Sequence, residues 1–314
     1  MKSASSRLRI RMLRRKRSRC QFAIIAALLL SCASLCAEPL HVLLTNDDGF
    51  EAQGITAMHK ALLAAGYEVS VAAPREQQSG SSMRVTLGTI MVEKLEGNFW
   101  VIDGTPADSV SFALAKLLAE KRPDIVISGI NFGQNLGSNA NLSGTVGAAI
   151  MATQLSIPAI AVSAGLDLSE RDAKPDRFPS TTAAFGPAAQ FTVRFIKQLE
   201  LSRVKDAPML PPNQLVNINF PAIPGADIKG VALTNVARVG GFAPVYLETE
   251  RDGEYKATLR HGDPIDPNVP NSDMQQFAEG YITISILDGD MNPSSEARKP
   301  LSERIDKFLA VPIR

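Results

Sequence analysis

The feature that most constrains this chain is a short apolar run that ends in two adjacent carboxylates, Leu40-His41-Val42-Leu43-Leu44-Thr45-Asn46-Asp47-Asp48-Gly49. Leu40, Val42, Leu43 and Leu44 occupy both parities of an extended chain, so a strand here must be covered on both faces, as inside a parallel sheet. The next segment, residues 54–65, places Ile55, Met58, Leu62 and Leu63 on one face at helical spacing and stops at Gly66. A buried strand followed by an amphipathic helix predicts a doubly wound sheet, in which ligands sit beyond the carboxyl ends of the strands. Asn46, Asp47, Asp48 and Gly49 fall there. Asn, Asp and Gly are also ordinary turn residues. The alternative is a hard divalent cation held by carboxylate oxygens, and the rest of the chain decides between the two.

The alternation continues. Residues 67–74 predict a second strand closed by Pro74, which puts the polar loop Arg75 to Met83, with Ser79 in it, at the same edge. Residues 89–103 predict an antiparallel excursion around Gly97, and Gly104-Thr105-Pro106-Ala107-Asp108 opens a helix reaching about Lys121. After Pro123, Asp-Ile-Val-Ile-Ser-Gly-Ile reads as a core strand ending at Asn131. The stretch from Gly129 to Gly147 is rich in Gly, Asn and Ser and leads into a helix over about 143–155. Such a loop before a helix N-terminus suits an anion such as phosphate. It carries neither the dinucleotide G-x-G-x-x-G nor the G-K-[ST] ending of a P-loop. Residues 158–164 and 215–220 predict further core strands and 181–199 a helix, with a patternless polar insertion at 167–180. Candidate strands at 230–237, 254–259 and 279–287 form a β-rich C-terminal extension. The fold class expected is α/β: a Rossmann-like, doubly wound, mostly parallel sheet.

Charge separates the amino terminus from the rest. Residues 1–37 hold nine bases and no acid; the remainder has 24 bases against 32 acids, about −8, which argues against a nucleic-acid surface. The basic start, the apolar Phe22–Leu30 and a small-residue stretch to Ala37 have the layout of a cleaved signal peptide, too short to serve as a membrane span. Export, with cleavage after Ala37 into a periplasm, is the expectation; the alternative is lipidation at Cys32, since Leu29-Leu30-Ser31-Cys32 resembles a lipoprotein processing site. All three cysteines (Cys20, Cys32, Cys36) lie in this segment, so a chain starting at Glu38 has no thiol chemistry. Residues 38–314 are then read as one domain, with 222–314 carrying the extension.

Taken in order, Asn46-Asp47-Asp48-Gly49, Gln78-Ser79-Gly80, Gly104-Thr105-Pro106-Ala107-Asp108, the Ser128–Gly137 stretch, the Ser143–Ala149 stretch and Ala278–Ser285 resemble the SurE family of metal-dependent nucleotidases over roughly residues 40–287. The resemblance implies a phosphomonoesterase of nucleoside 5′-monophosphates, with 3′-nucleotides and short polyphosphate as further substrates. It implies four metal ligands, Asp47, Asp48, Ser79 and Asn131, and one divalent cation, Mg²⁺ or Mn²⁺, a choice that oxygen-only ligands suit. The three histidines, His41, His59 and His261, fall in none of these motifs. Asn135, Ser143, Gly144 and Thr145 are implied to hold the phosphate, so losing the Thr145 hydroxyl is expected to damage turnover more than metal binding. Asp47 or Asp48, with Asp47 favoured, is expected to take the proton of the attacking water. The family also implies a homodimer or homotetramer built through the C-terminal extension. Leu142, Met151 and the Gly80-Ser81-Ser82-Met83 loop depart from the family's usual residues. The competing reading is an exported nucleotide- or phosphate-binding module without turnover.

Overall fold

Val42 and Leu44 project to one side of their strand and Leu43 to the other, and each side meets its own helical layer. The computed structural model describes residues 38–309 apart from 205–206, 263–265, 267, 291 and 293. The expected signal segment, 1–37, lies outside the described residues. The strands are β1 (His41–Thr45), β2 (Glu68–Pro74), β3 (Val92–Lys94), β4 (Phe99–Ile102), β5 (Ile125–Phe132), β6 (Ala159–Ala164), β7 (Gln214–Phe220), β8 (Gly230–Thr234), β9 (Phe242–Glu248), β10 (Tyr255–His261) and β11 (Tyr281–Asp288). The helices are α1 (Gln53–Ala64), α2 (Pro106–Phe112), α3 (Gly144–Gln154), α4 (Pro179–Ser202), α5 (Asp273–Ala278) and α6 (Ser295–Leu309).

One nine-stranded sheet runs β3-β4-β2-β1-β5-β6-β7-β11-β8, and β9 with β10 forms a separate antiparallel hairpin. From β4 to β7 every neighbouring pair is parallel. The fully buried apolar runs of β1, β5 and β6 form the centre, where both faces are covered. On one face α1 and α4 bring Ile55, Met58, Leu62, Val193 and Ile196 against Val42, Leu44, Ile127, Val162 and Ile218. On the other, Val110 of α2 and Val146, Ala149 and Ala152 of α3 meet Leu43, Val126, Ala161 and Leu215. The inner face of α3 is mostly Gly and Ala, so the helix lies close to the sheet and its start reaches the end of β1.

Two expectations need correction. Only β3 is an antiparallel excursion; β4 joins the parallel sheet beside β2, because Val101 and Ile102 are apolar enough to be buried there. The helix expected to reach Lys121 is α-helical only to Phe112 and continues as a π-helical turn, Ala113–Leu117. The C-terminal extension is β-rich as expected, and within it β11 pairs antiparallel with β7 and β8 pairs with β11 in the main sheet.

Candidate metal and phosphate site

β1 ends at Thr45, and the following turn is closed by Asn46 Nδ2 donating to Gly49 O at 2.8 Å. This turn sends the two carboxylates to different elements. Asp47, 2% exposed, accepts a 2.6 Å hydrogen bond from Thr145 Oγ1, and the Gly144 and Thr145 amides at the start of α3 also donate to it. Burial pushes its carboxyl above the usual range, and these donors work against the shift. Asp48 accepts from Phe132 N at 2.8 Å, at the end of β5. Burial and then the neighbouring Asp47 charge push it up to about 7, with the Phe132 amide opposing.

Asn131 immediately precedes Phe132 in β5 and carries an orphaned buried acceptor. Its Nδ2 donates to Gly133 O at 2.6 Å, while its Oδ1 is buried with no donor among the described residues. A buried acceptor without a donor, next to the residue whose amide binds Asp48, is a position that a cation could satisfy. Among the described residues no three His, Cys, Asp or Glu side chains converge. A cation here therefore depends on two carboxylates and neutral oxygens, a donor set that fits Mg²⁺ or Mn²⁺.

Ser79 is exposed, and its Oγ accepts from Gln77 Nε2 rather than pairing with either carboxylate. Its loop is nevertheless docked at the site, because Gln78 N donates to Asp47 O at 2.7 Å. Ser81, two residues on, has a buried hydroxyl with no partner among the described residues. A Cβ on Gly144 would lie 2.7 Å from that hydroxyl and 2.8 Å from Asp47 Cβ. A Cβ on Gly147 would overlap the carbonyl of Ser82. The two glycines of Ser143-Gly144-Thr145-Val146-Gly147 are thus close-approach positions that let the loop after β2 and the end of β1 pack onto α3.

The four residues expected to cradle phosphate are all buried and already engaged with protein. Ser143 caps α3, its Oγ accepting from Val146 N at 3.1 Å. Gly144 and Thr145 serve Asp47, and the single hydroxyl proton of Thr145 goes to that carboxylate. Asn135 donates from Nδ2 to Ser163 Oγ at 2.9 Å and from its backbone to Asn219 Oδ1 at 2.7 Å, and its carbonyl accepts from Asn217 and Asn219. Asn217, Asn219, Ser81 and Ser163 were not read from the sequence as part of the site. The signal was present in β7, where two Asn residues at alternate positions interrupt an otherwise apolar core strand; buried amides of that kind need partners.

Fold and site together define an α/β protein with a buried acidic site at the carboxyl edge of a mostly parallel sheet. Residues 42–240 match the family model described as Survival protein SurE. The 5′-nucleotidase SurE of Gloeobacter violaceus is 36% identical over 262 residues, spanning 80% of this chain and 91% of that protein. The 5′-nucleotidase SurE of Thermosynechococcus vestitus is 35% identical over 271 residues, spanning 80% and 92%. The crystal structure of the SurE protein from Aquifex aeolicus is similar with a TM-score of 0.68 at 27% identity, covering 84% of this chain and 99% of that one. The chain belongs to the SurE family.

Proposed function

We propose that this chain is a 5′-nucleotidase that hydrolyses nucleoside 5′-monophosphates with a divalent cation held by Asp47, Asp48 and Asn131 and reached by Ser79. The activity is that of the relatives it matches along most of their length. The observation that carries the cation is one buried and one half-buried carboxylate, Asp47 and Asp48, together with the orphaned Oδ1 of Asn131. When bound, a divalent cation supplies Lewis acidity to a phosphoryl oxygen and makes a water nucleophilic near neutral pH.

The chain's own residues divide the remaining work. Asp47 is gripped by Thr145 and the first amides of α3, so its orientation is set and its lone pairs are largely occupied. Asp48 accepts from Phe132 N alone among the described residues, which leaves more of its lone pairs open than those of Asp47. On this difference in lone-pair occupancy we assign proton acceptance to Asp48, in place of the Asp47 favoured by sequence. The start of α3 contributes a dipole that favours anionic groups at this edge, with Ser143 the hydroxyl best free to donate to phosphate. Thr145 is a positioning residue for Asp47. The test is release of phosphate from a panel of nucleoside monophosphates with and without added Mg²⁺ or Mn²⁺: cation-dependent release supports the assignment, and full activity after chelation overturns it. Preference among 5′-nucleotides, 3′-nucleotides and short polyphosphate is read from the same panel.

A further inference from the structure

The insertion at 167–180 is ordered by its own contacts. Ser180 donates to Glu170 Oε2 from its amide at 3.0 Å and its hydroxyl at 2.7 Å, and Arg177 Nε donates to Arg171 O at 2.9 Å. Held this way, Asp176 and Arg177 form one wall of a cavity of about 490 Å³, a volume in the range of small-molecule sites. Gln53 at the start of α1 and Phe132 at the end of β5 also line it. Asp48 lies in the same lining, so the cavity reaches one of the two carboxylates.

The lining has the chemistry of a nucleobase site. Phe132 is 37% exposed, although its ring meets Phe178 edge-on at 5.9 Å and Phe185 at 6.2 Å. These neighbours fix the plane of the ring and leave part of it facing the cavity. The guanidinium of Arg177 lies 5.4 Å from the Phe178 ring centre, next to the same aromatic group. Planar heterocycles stack on both phenyl and guanidinium groups, and Gln53 and Thr182 supply amide and hydroxyl groups suited to base edges and ribose.

We propose that this cavity is the nucleoside subsite, with the base stacked on Phe132 and Arg177 while the phosphate stays at Asp48; the assignment rests on the nucleotidase reading above. It gives the insertion a function: residues 171–179 set which leaving group the enzyme accepts, and the carboxylates set the reaction.

The test compares AMP with ribose 5-phosphate, which carries the same phosphate without a base, in the Mg²⁺-loaded wild type and in Phe132→Leu and Arg177→Gln. Leu keeps apolar volume beside Phe178 and Phe185, and Arg177 lies in a surface loop, so at least one variant keeps the fold. The ratio of kcat/KM for AMP to that for ribose 5-phosphate is expected to fall about tenfold or more with loss of the aromatic face, mainly through KM. Adenosine binding by calorimetry, which needs no turnover, should weaken similarly. A ratio and an adenosine affinity within twofold of wild type in both variants would overturn the subsite while leaving the nucleotidase in place. Phe132-dependent adenosine binding by a protein that releases no phosphate from AMP would do the reverse.

Discussion

Asp47 and Asp48 are neighbours in sequence, yet their surroundings separate their roles. Asp48 is raised from 3.8 to about 7 by burial and the adjacent charge, so the metal-free native state holds a proton there that the unfolded chain has released. Native binding of more protons means that stability falls as pH rises through that window, from about 4 to about 7. Asp48→Asn is expected to raise the Tm of the metal-free protein at pH 8 by several degrees, while lowering hydrolysis at least about 10²-fold; scanning calorimetry and phosphate release measure the two. By the same linkage, divalent-cation affinity measured by calorimetry should rise with pH up to about 7 and level off above it. Thr145 belongs to this account through its 2.6 Å bond to Asp47. A hydrogen bond to a charged group contributes about 1.5–3 kcal/mol, so Thr145→Val should lower kcat roughly tenfold or more and weaken cation binding with it, whereas Thr145→Ser retains both. That coupling departs from the expectation that losing the Thr145 hydroxyl damages turnover more than metal binding. Intact Mn²⁺ affinity in Thr145→Val would contradict it.

At the scale of elements, the site is three chain segments pressed onto the start of α3: the turn after β1, the loop after β2 and the end of β5. Gly147→Ala places a Cβ where the Ser82 carbonyl now lies. Overpacking of this kind costs typically about 1–3 kcal/mol. The variant is expected to lose that much stability in urea titration and to lose activity as the loop carrying Ser79 is pushed from Asp47; unchanged kinetics would show that this loop is not part of the site. The central strands were legible because β1, β5 and β6 are apolar on both parities, and Asp47 and Asp48 were legible because they end such a strand. What was not legible depends on partners distant in sequence. β9 was missed because Phe242-Ala243-Pro244-Val245 contains a proline and packs against no core, its pairing being with β10 alone. Helix α5 is only six residues long, too short for a periodic signal. The engagement of Thr145 with Asp47, 98 positions away, and of Asn135 with Asn219 has no local signature, since a hydroxyl or amide near a helix start reads equally as a cap, an anion ligand or a brace.

At the scale of the whole molecule, the hairpin of β9 and β10 stands apart from the main sheet and exposes Tyr246, Leu247 and Tyr255. Exposed aromatic and aliphatic groups on a two-stranded ribbon, which is marginal alone, suit contact with a second copy of the chain. Light scattering is expected to give a dimer or tetramer, and Leu247→Asp with Tyr255→Asp a smaller species; a wild-type monomer would contradict this. Among the described residues no helix is long and apolar enough to cross a membrane. We propose export on the strength of the basic and apolar segment before Glu38, and intact-mass measurement of natively produced protein should find a chain beginning at Glu38 or a lipidated Cys32. The central claim is that the adjacent carboxylates of Asp47 and Asp48 hold a cation for phosphate-ester hydrolysis, and phosphate release from AMP by wild type, Asp47→Asn and Asp48→Asn tests it most directly, each with EDTA and with Mg²⁺ restored. The account predicts release by wild type only with the cation present and none above background by either folded variant; full-rate release in EDTA, or by either variant, would contradict it.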